Sequence, residues 1–225
     1  MLLLFDIDGT LVAGATRAHS QALGDAIRQV HGLDPHNLRA EIGPAGRTDG
    51  EIARLILLDL GVSARRIDDF ADAVRATCCQ IYAEICPPDL SDHVIPGMPE
   101  LVAWLAERDG AQLGLLTGNF EPIGRLKLAR AGFEEWLRSA PGAFGSDSED
   151  RAALPAIARR RAGHIPRDQA IVIGDTPRDI ACARADDLRC IAVTTGQFGR
   201  EELSGADAVA GDADELRVKL EELGI

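Results

Sequence analysis

The sequence predicts an α/β fold: a doubly wound parallel sheet core with an inserted all-helical domain. Three observations predict it. Short apolar runs bounded by Gly, Asp, Thr or Pro recur along the chain, as strands buried on both faces do. Helical patterns lie between them, the alternation expected of a parallel sheet with crossover helices. One long stretch, from about Ala15 to Ser91, breaks that alternation with helices and no convincing strand. The expected organisation is an α/β core made of residues 1–14 and 92–225, and a helical cap of residues 15–91.

Strands are expected at Leu2–Phe5, Gln112–Leu116, Ala170–Ile173 and Cys190–Val193, with a weaker one at Ala208–Ala210. Within the inserted stretch, Arg17–Val30 and Gly50–Leu60 read as helices. Arg65–Ile85 is the clearest, because Ile67, Phe70, Val74, Cys78, Ile81 and Ile85 recur at steps of three and four and form one apolar stripe. The residues from Cys86 to Gly97 form the return linker. Beyond it, Pro99–Arg108 places Leu101, Val102 and Leu105 on one face. Pro122–Ala131 opens with Pro and stops at Gly132, following the asymmetry of helix ends. Pro177–Ala185 and Asp214–Leu223 complete the set.

Composition narrows the function. A formal net charge of -12 over 225 residues repels the phosphates of nucleic acid and of anionic lipid, so neither is an expected partner. An anionic substrate then needs a local device, either a metal ion or a few placed cations. The opening Met1-Leu2-Leu3-Leu4-Phe5 is too short for a secretory signal and lacks its basic lead. No apolar run approaches the ~20 residues of a membrane span. The five cysteines include no C-x-x-C pair and read as reduced thiols, so the expected location is cytoplasmic.

Four features carry chemistry, and each stands just past a predicted strand, where open α/β sheets bind ligands. Asp6-Ile7-Asp8-Gly9-Thr10 follows the first strand. Asp6 is suited to attack phosphorus and Asp8 to handle a proton, with Gly9 allowing a tight turn. A strand-to-turn junction also favours Asp and Gly, so the motif alone is not decisive. Thr117-Gly118-Asn119 follows the second strand, offering a hydroxyl and backbone N–H groups to phosphate oxygens, or simply a helix cap. Lys127 lies on the next helix and is one of only two lysines, the other being Lys219; a solvated helix lysine is its bland reading. Gly174-Asp175-Thr176-Pro177-Arg178-Asp179 follows a buried strand. With Asp6, the carboxylates of Asp175 and Asp179 suit an oxygen-only magnesium site, while Asp175 and Thr176 also suit a helix cap before Pro177.

Taken in order, D-x-D-G-T, a hydroxyl strand end, a lysine and G-D-T-x-x-D resemble the haloacid dehalogenase superfamily over nearly the whole chain, helical cap included. The resemblance implies a Rossmann-like core and a magnesium-dependent phosphatase acting on small phosphorylated metabolites. It implies Asp6 as the phosphorylated nucleophile, Asp8 as general acid/base, and Thr117 and Lys127 as catalytic partners of the phosphate. It implies magnesium held by Asp6, the Asp8 carbonyl, Asp175 and Asp179. Gly118 and Asn119 would touch substrate. The presence of Asp8 favours phosphate esters, since the dehalogenases and phosphonate-cleaving relatives lack an acid there. Many relatives place their lysine in a Lys-Pro pair before the last acidic motif. Here Ser148–Pro155 holds no lysine, so Lys127 is the preferred cation and Arg151 the alternative. A phosphomutase of the β-phosphoglucomutase type would use the same residues. A receiver-like phospho-acceptor is disfavoured by the helical insertion.

The insertion carries one candidate of its own. Arg47, in Gly46-Arg47-Thr48-Asp49-Gly50-Glu51, is placed to meet an anionic substrate group bidentately. Thr48 and Glu51 also match a capping box, which accounts for the loop but not for Arg47.

Overall fold

A computed structural model of the protein describes residues 1–35 and 42–225; positions 36–41, inside the expected insertion, lie outside the described residues. Six strands form one parallel sheet: β1 (Leu2–Phe5), β2 (Gln112–Thr117), β3 (Gly142–Phe144), β4 (Ala170–Gly174), β5 (Arg189–Val193) and β6 (Ala208–Ala210). Their order is β3-β2-β1-β4-β5-β6. The chain thus winds outward both ways from β1, as the alternation predicts. The register sets Leu4 between Gly114 and Val172.

The strands read as continuous apolar runs because both faces of the sheet are covered. Successive side chains point to opposite faces. Leu3 and Phe5 therefore enter one apolar layer, and Leu2 and Leu4 the other. Ile171 and Ile173 alternate with Val172 in the same way on β4. Burial of one such side chain contributes about 1.5–3 kcal/mol.

Between β1 and β2 the chain forms α1 (Arg17–His31), α2 (Asp49–Asp59) and α3 (Ala64–Ile85), which pack on one another. Helix α3 buries Ile67, Val74, Cys78 and Tyr82. Phe70 departs from the expected stripe. It is exposed, with the Arg66 guanidinium 4.9 Å over its ring and the His31 ring edge-on at 5.6 Å. The seam is inclined to the expected stripe, so Tyr82 takes the last buried place.

The core continues with α4 (Met98–Ala106), α5 (Glu121–Arg130), α6 (Glu134–Leu137), α7 (Leu154–Arg161), α8 (Pro177–Ala185) and α9 (Ala213–Glu222). β3, α6 and α7 are additions to the sequence reading. β3 has three residues, Gly-Ala-Phe, too few for a periodic signal. Among the described residues, no helix is long and apolar enough to cross a membrane.

Candidate active site

In a parallel sheet every carboxyl-terminal strand end lies on the same edge. Asp6 follows β1, Thr117 ends β2, Asp175 follows β4, and Thr195 and Gly196 follow β5. The sheet thus gathers residues from across the sequence. A cavity of about 1140 Å³ opens at this edge, lined among others by Asp6, Asp8, Asn119, Asp175, His19 and Arg47.

Asp6, Asp175 and Asp179 converge, with one carboxylate oxygen of each within 4.8 Å of the others. All three are buried. Asp175 sits in a cradle that admits no side chain: a β-carbon on Gly9 or Gly196 would collide with its carboxylate. Gly9 also has φ +90°, where glycine is favoured. Asp179 completes a capping box with Thr176 at the start of α8, accepting from the Thr176 N–H at 3.0 Å and its hydroxyl at 2.7 Å.

The cation on this trio is Arg151. Its guanidinium lies 3.2 Å from Asp6 Oδ1 and hydrogen-bonds Asp179 Oδ1. Asp150 caps a single 3₁₀ turn, accepting from the Ala152 N–H at 2.9 Å, and that turn presents Arg151 from the stretch after β3. Arg151, the alternative cation of the sequence, thus pairs with Asp6, while Lys127, the preferred one, pairs with Asp8. Lys127 Nζ is fully buried and donates to both oxygens of Asp8 at 2.7 Å, and to Asn119 Oδ1 at 2.8 Å. A helix one strand over from β1 brings the ammonium to Asp8, while the turn after β3 reaches Asp6. Each acidic residue of the first motif thus has its own cation.

Thr117 and Asn119 join the Asp8 side. The Asn119 amide donates to Asp8 Oδ2 at 2.8 Å and to Thr117 Oγ1 at 2.7 Å. The Asn119 side chain, expected to bind substrate, is thus already engaged in positioning Asp8. The Thr117 hydroxyl, used as an acceptor here, keeps its own proton to donate.

The loop before α2 is pressed onto the second motif. The Asp49 N–H donates to the Gly118 carbonyl at 2.8 Å, and Asp49 Oδ2 accepts from the Phe120 N–H at 2.7 Å. A β-carbon on Gly118 would overlap the Arg47 carbonyl oxygen. Thr48 caps α2 as expected, accepting from the Glu51 N–H at 3.1 Å, and donates to the Glu149 carbonyl at 2.7 Å. Glu51 pairs with Arg47, whose Nε also donates to the Gly43 carbonyl at 3.0 Å. Arg47 lines the cavity, with its charge partly met by Glu51.

Asp6 and Asp175 are electrostatically opposite to Asp8. Burial raises the Asp6 carboxyl to about 7, opposed by Arg151 and reinforced by Asp179 and Asp8. Burial and the neighbouring Asp6 and Asp179 raise Asp175 to about 8. Burial would push Asp8 up as well, but Lys127, His19 and the Asn119 hydrogen bond bring it below the ordinary carboxylate value. Crowded, desolvated oxygen donors without enough protein cations fit a hard divalent cation.

A stability prediction follows from the raised values. In chelator, the stabilisation from protonated Asp175 is fully present below its unfolded value near 4 and is lost as pH rises through about 8. Asp175→Asn is therefore expected to raise the melting temperature over the parent by more at pH 8.5 than at pH 5. His31, whose value burial lowers, tilts both proteins equally and cancels in the difference. Thermal unfolding of the two chelated proteins at both pH values checks this. A difference that is flat or shrinks with pH contradicts it.

Fold and site together give an α/β core that carries a buried cluster of three carboxylates at its carboxyl edge. A sequence model of the haloacid dehalogenase-like hydrolases matches residues 3–184, and the chain belongs to that family. It is 29% identical to a phosphoglycolate phosphatase of Rhodospirillum rubrum, over 92% of this chain and 84% of that one. A predicted phosphatase from Clostridium acetobutylicum superposes with a TM-score of 0.71 at 19% identity, covering 98% of both chains. A β-phosphoglucomutase from Clostridium difficile does so with 0.70 at 14% identity, over 98% of this chain and 95% of that one.

Proposed function

We propose that the chain hydrolyses small phosphate monoesters, with Asp6 as covalent nucleophile, Asp8 as acid and base, and magnesium as the cation. The observation that carries this reading is the division of cations: Arg151 on Asp6 and Lys127 on Asp8. Asp6 attacks phosphorus, the ester P–O bond breaks, and Asp8 gives its proton to the departing alcohol oxygen. Water then attacks the aspartyl phosphate and Asp8 takes its proton, releasing phosphate and restoring both residues. The lowered Asp8 value favours the second half, in which the ionised carboxylate acts as base. The proton it gains there serves the next substrate.

Asp6, Asp175 and the Asp8 carbonyl would hold magnesium, with Asp179 anchoring Arg151 beside them. Bound magnesium supplies charge neutralisation between the nucleophile and the phosphate. The buried Arg151 Nε has no protein partner, and a phosphate oxygen would give it one. The Thr117 hydroxyl and the Gly118 N–H are the remaining donors. The five free thiols fit a reducing, cytoplasmic setting.

Release of inorganic phosphate from a panel of phosphorylated metabolites, with magnesium and with chelator, tests the reading. Free phosphate only with magnesium supports it. An isomerised sugar phosphate without release would assign a mutase, and no turnover of any ester would overturn it. Arg47 is proposed to read a second anionic group on the substrate. Arg47→Ala is expected to raise KM for the best anionic substrate about tenfold, ~1.4 kcal/mol, and to change hydrolysis of an uncharged aryl phosphate much less. Equal effects on both would mean that Arg47 reads the phosphate alone.

A further inference from the structure

Thr195 ties the loop after β5 to the turn after β1. That loop is anchored at both ends. The Thr194 N–H donates to the Ala210 carbonyl at 3.0 Å, which prolongs the pairing of β5 with β6, and Phe198 packs on the second apolar layer. Between these anchors Thr195, Gly196 and Gln197 line the substrate cavity. The Thr195 hydroxyl donates to the Gly9 carbonyl at 2.6 Å, across 186 positions of the chain. The adjoining Gly196 lies so close to Asp175 that a β-carbon there would collide with its carboxylate. One short loop therefore bears on two parts of the acidic centre, Asp175 and the Asp8-Gly9 turn.

The turn needs a hold from outside. Gly9 has φ +90°, and glycine moves among backbone conformations closed to other residues. Its N–H donates to the Val12 carbonyl at 2.7 Å. The Asp8–Gly9 peptide is trans and planar, so the Asp8 carbonyl points away from that bond. Among the described residues the Asp8 carbonyl accepts no hydrogen bond and is left free for a ligand. The Gly9 carbonyl, on the other side of the same α-carbon, is held by Thr195. With both of its backbone groups tied, Gly9 cannot let either flanking peptide turn. We propose that Thr195 is a positioning residue of the metal site: its hydroxyl fixes Gly9 and so keeps the Asp8 carbonyl available to a cation held by Asp6 and Asp175. This rests on the reading above, in which that cation is magnesium. A backbone carbonyl serves as a ligand only while its peptide keeps its plane, and partners outside the ligand set are worth ~10–100-fold in metal affinity for that reason.

Three substitutions separate the hydroxyl from the shape of the side chain. Thr195→Val keeps the shape and removes the hydroxyl. Thr195→Ala removes the hydroxyl and the branch, which guards against a clash of the valine methyl with the Gly9 carbonyl. Thr195→Ser keeps the hydroxyl. Calorimetric titration of each chelator-stripped, desalted protein with magnesium is the first readout. The magnesium dependence of aryl phosphate hydrolysis is the second, with thermal unfolding in chelator alongside. The expected result is a rise of about tenfold or more in the Kd for magnesium in Thr195→Val and Thr195→Ala, with Thr195→Ser within about threefold of the parent. At saturating magnesium kcat should fall by less than the affinity does. Magnesium affinity unchanged in the valine and alanine variants would overturn the proposal, as would equal weakening in all three, weakening that follows the melting temperatures, or a loss of kcat larger than the loss of affinity. Failure of the unsubstituted protein to bind magnesium would instead be failure of the magnesium reading.

Discussion

Asp6→Asn is expected to leave a folded protein with no measurable turnover. Asp6 stands at the end of the central strand, with its N–H donating to Ile173 O at 2.9 Å and Arg151 3.2 Å from its carboxylate. The amide keeps the shape and the hydrogen bond to β4, but it cannot form an acyl phosphate. The loss should therefore exceed the ~10²–10⁴-fold typical of a missing acid or base. Folding should survive, because the change removes one charge from a crowded trio in which burial already holds Asp6 near 7. Turnover, together with trapping of a phosphorylated protein from labelled substrate, gives the measurement. Residual turnover above a hundredth of the parent rate would exclude the covalent route.

Arg151→Ala is expected to have the next largest effect, on both activity and stability. Arg151 is the only cation shown against the trio among the described residues, bridging Asp6 and Asp179. Removing a buried partner leaves uncompensated charge, at a cost of about 3 kcal/mol or more near pH 8. Loss of a preorganised donor to the phosphate costs a further ~10²–10³-fold in turnover. Lys127→Ala should also cripple turnover while leaving Asp6 with its cation. Urea unfolding in chelator, compared with turnover in magnesium, separates the two. An Arg151→Ala protein within threefold of the parent in turnover would refute the placement of the nucleophile's cation.

The sequence makes Lys127 the preferred cation and Arg151 the alternative, whereas the structure sets Arg151 against Asp6. A flexible ammonium suits the role, and Lys127 is the lone mid-chain lysine. What places Arg151 is a one-turn helix capped by Asp150, a feature too short for periodicity to reveal. The Asp150 cap was readable as a local signal; the reach of the guanidinium to two carboxylates was not. Asp6, Asp8, Thr117 and Asp175 were legible because each directly follows an apolar run, so that strand prediction locates them. Strands β1, β4 and β5 were legible because both their faces are buried. His19 and Asp49 were not legible, since no spacing within the insertion shows that α1 and α2 meet the loop after β2. Phe70 was misplaced for a related reason: helical periodicity gives a stripe, but the angle at which α1 crosses α3 decides which of its edges is covered.

The position of β1 in the sheet has a consequence for how the chain is made. It is the central strand, yet both its neighbours, β2 and β4, come later in the sequence, the nearer one beginning at Gln112. At ~5–20 residues per second of synthesis, Leu2-Leu3-Leu4-Phe5 waits on the order of 10 s before any strand exists to pair with it. The helices of the insertion are complete by then and can form through local contacts. The nascent protein therefore passes through a stage in which a helical unit precedes the sheet and a bare apolar strand sits at its amino-terminal side. A strand edge of that kind invites pairing with other chains. The vulnerable period for aggregation is thus set by the length of the insertion, and lengthening the insertion would extend it.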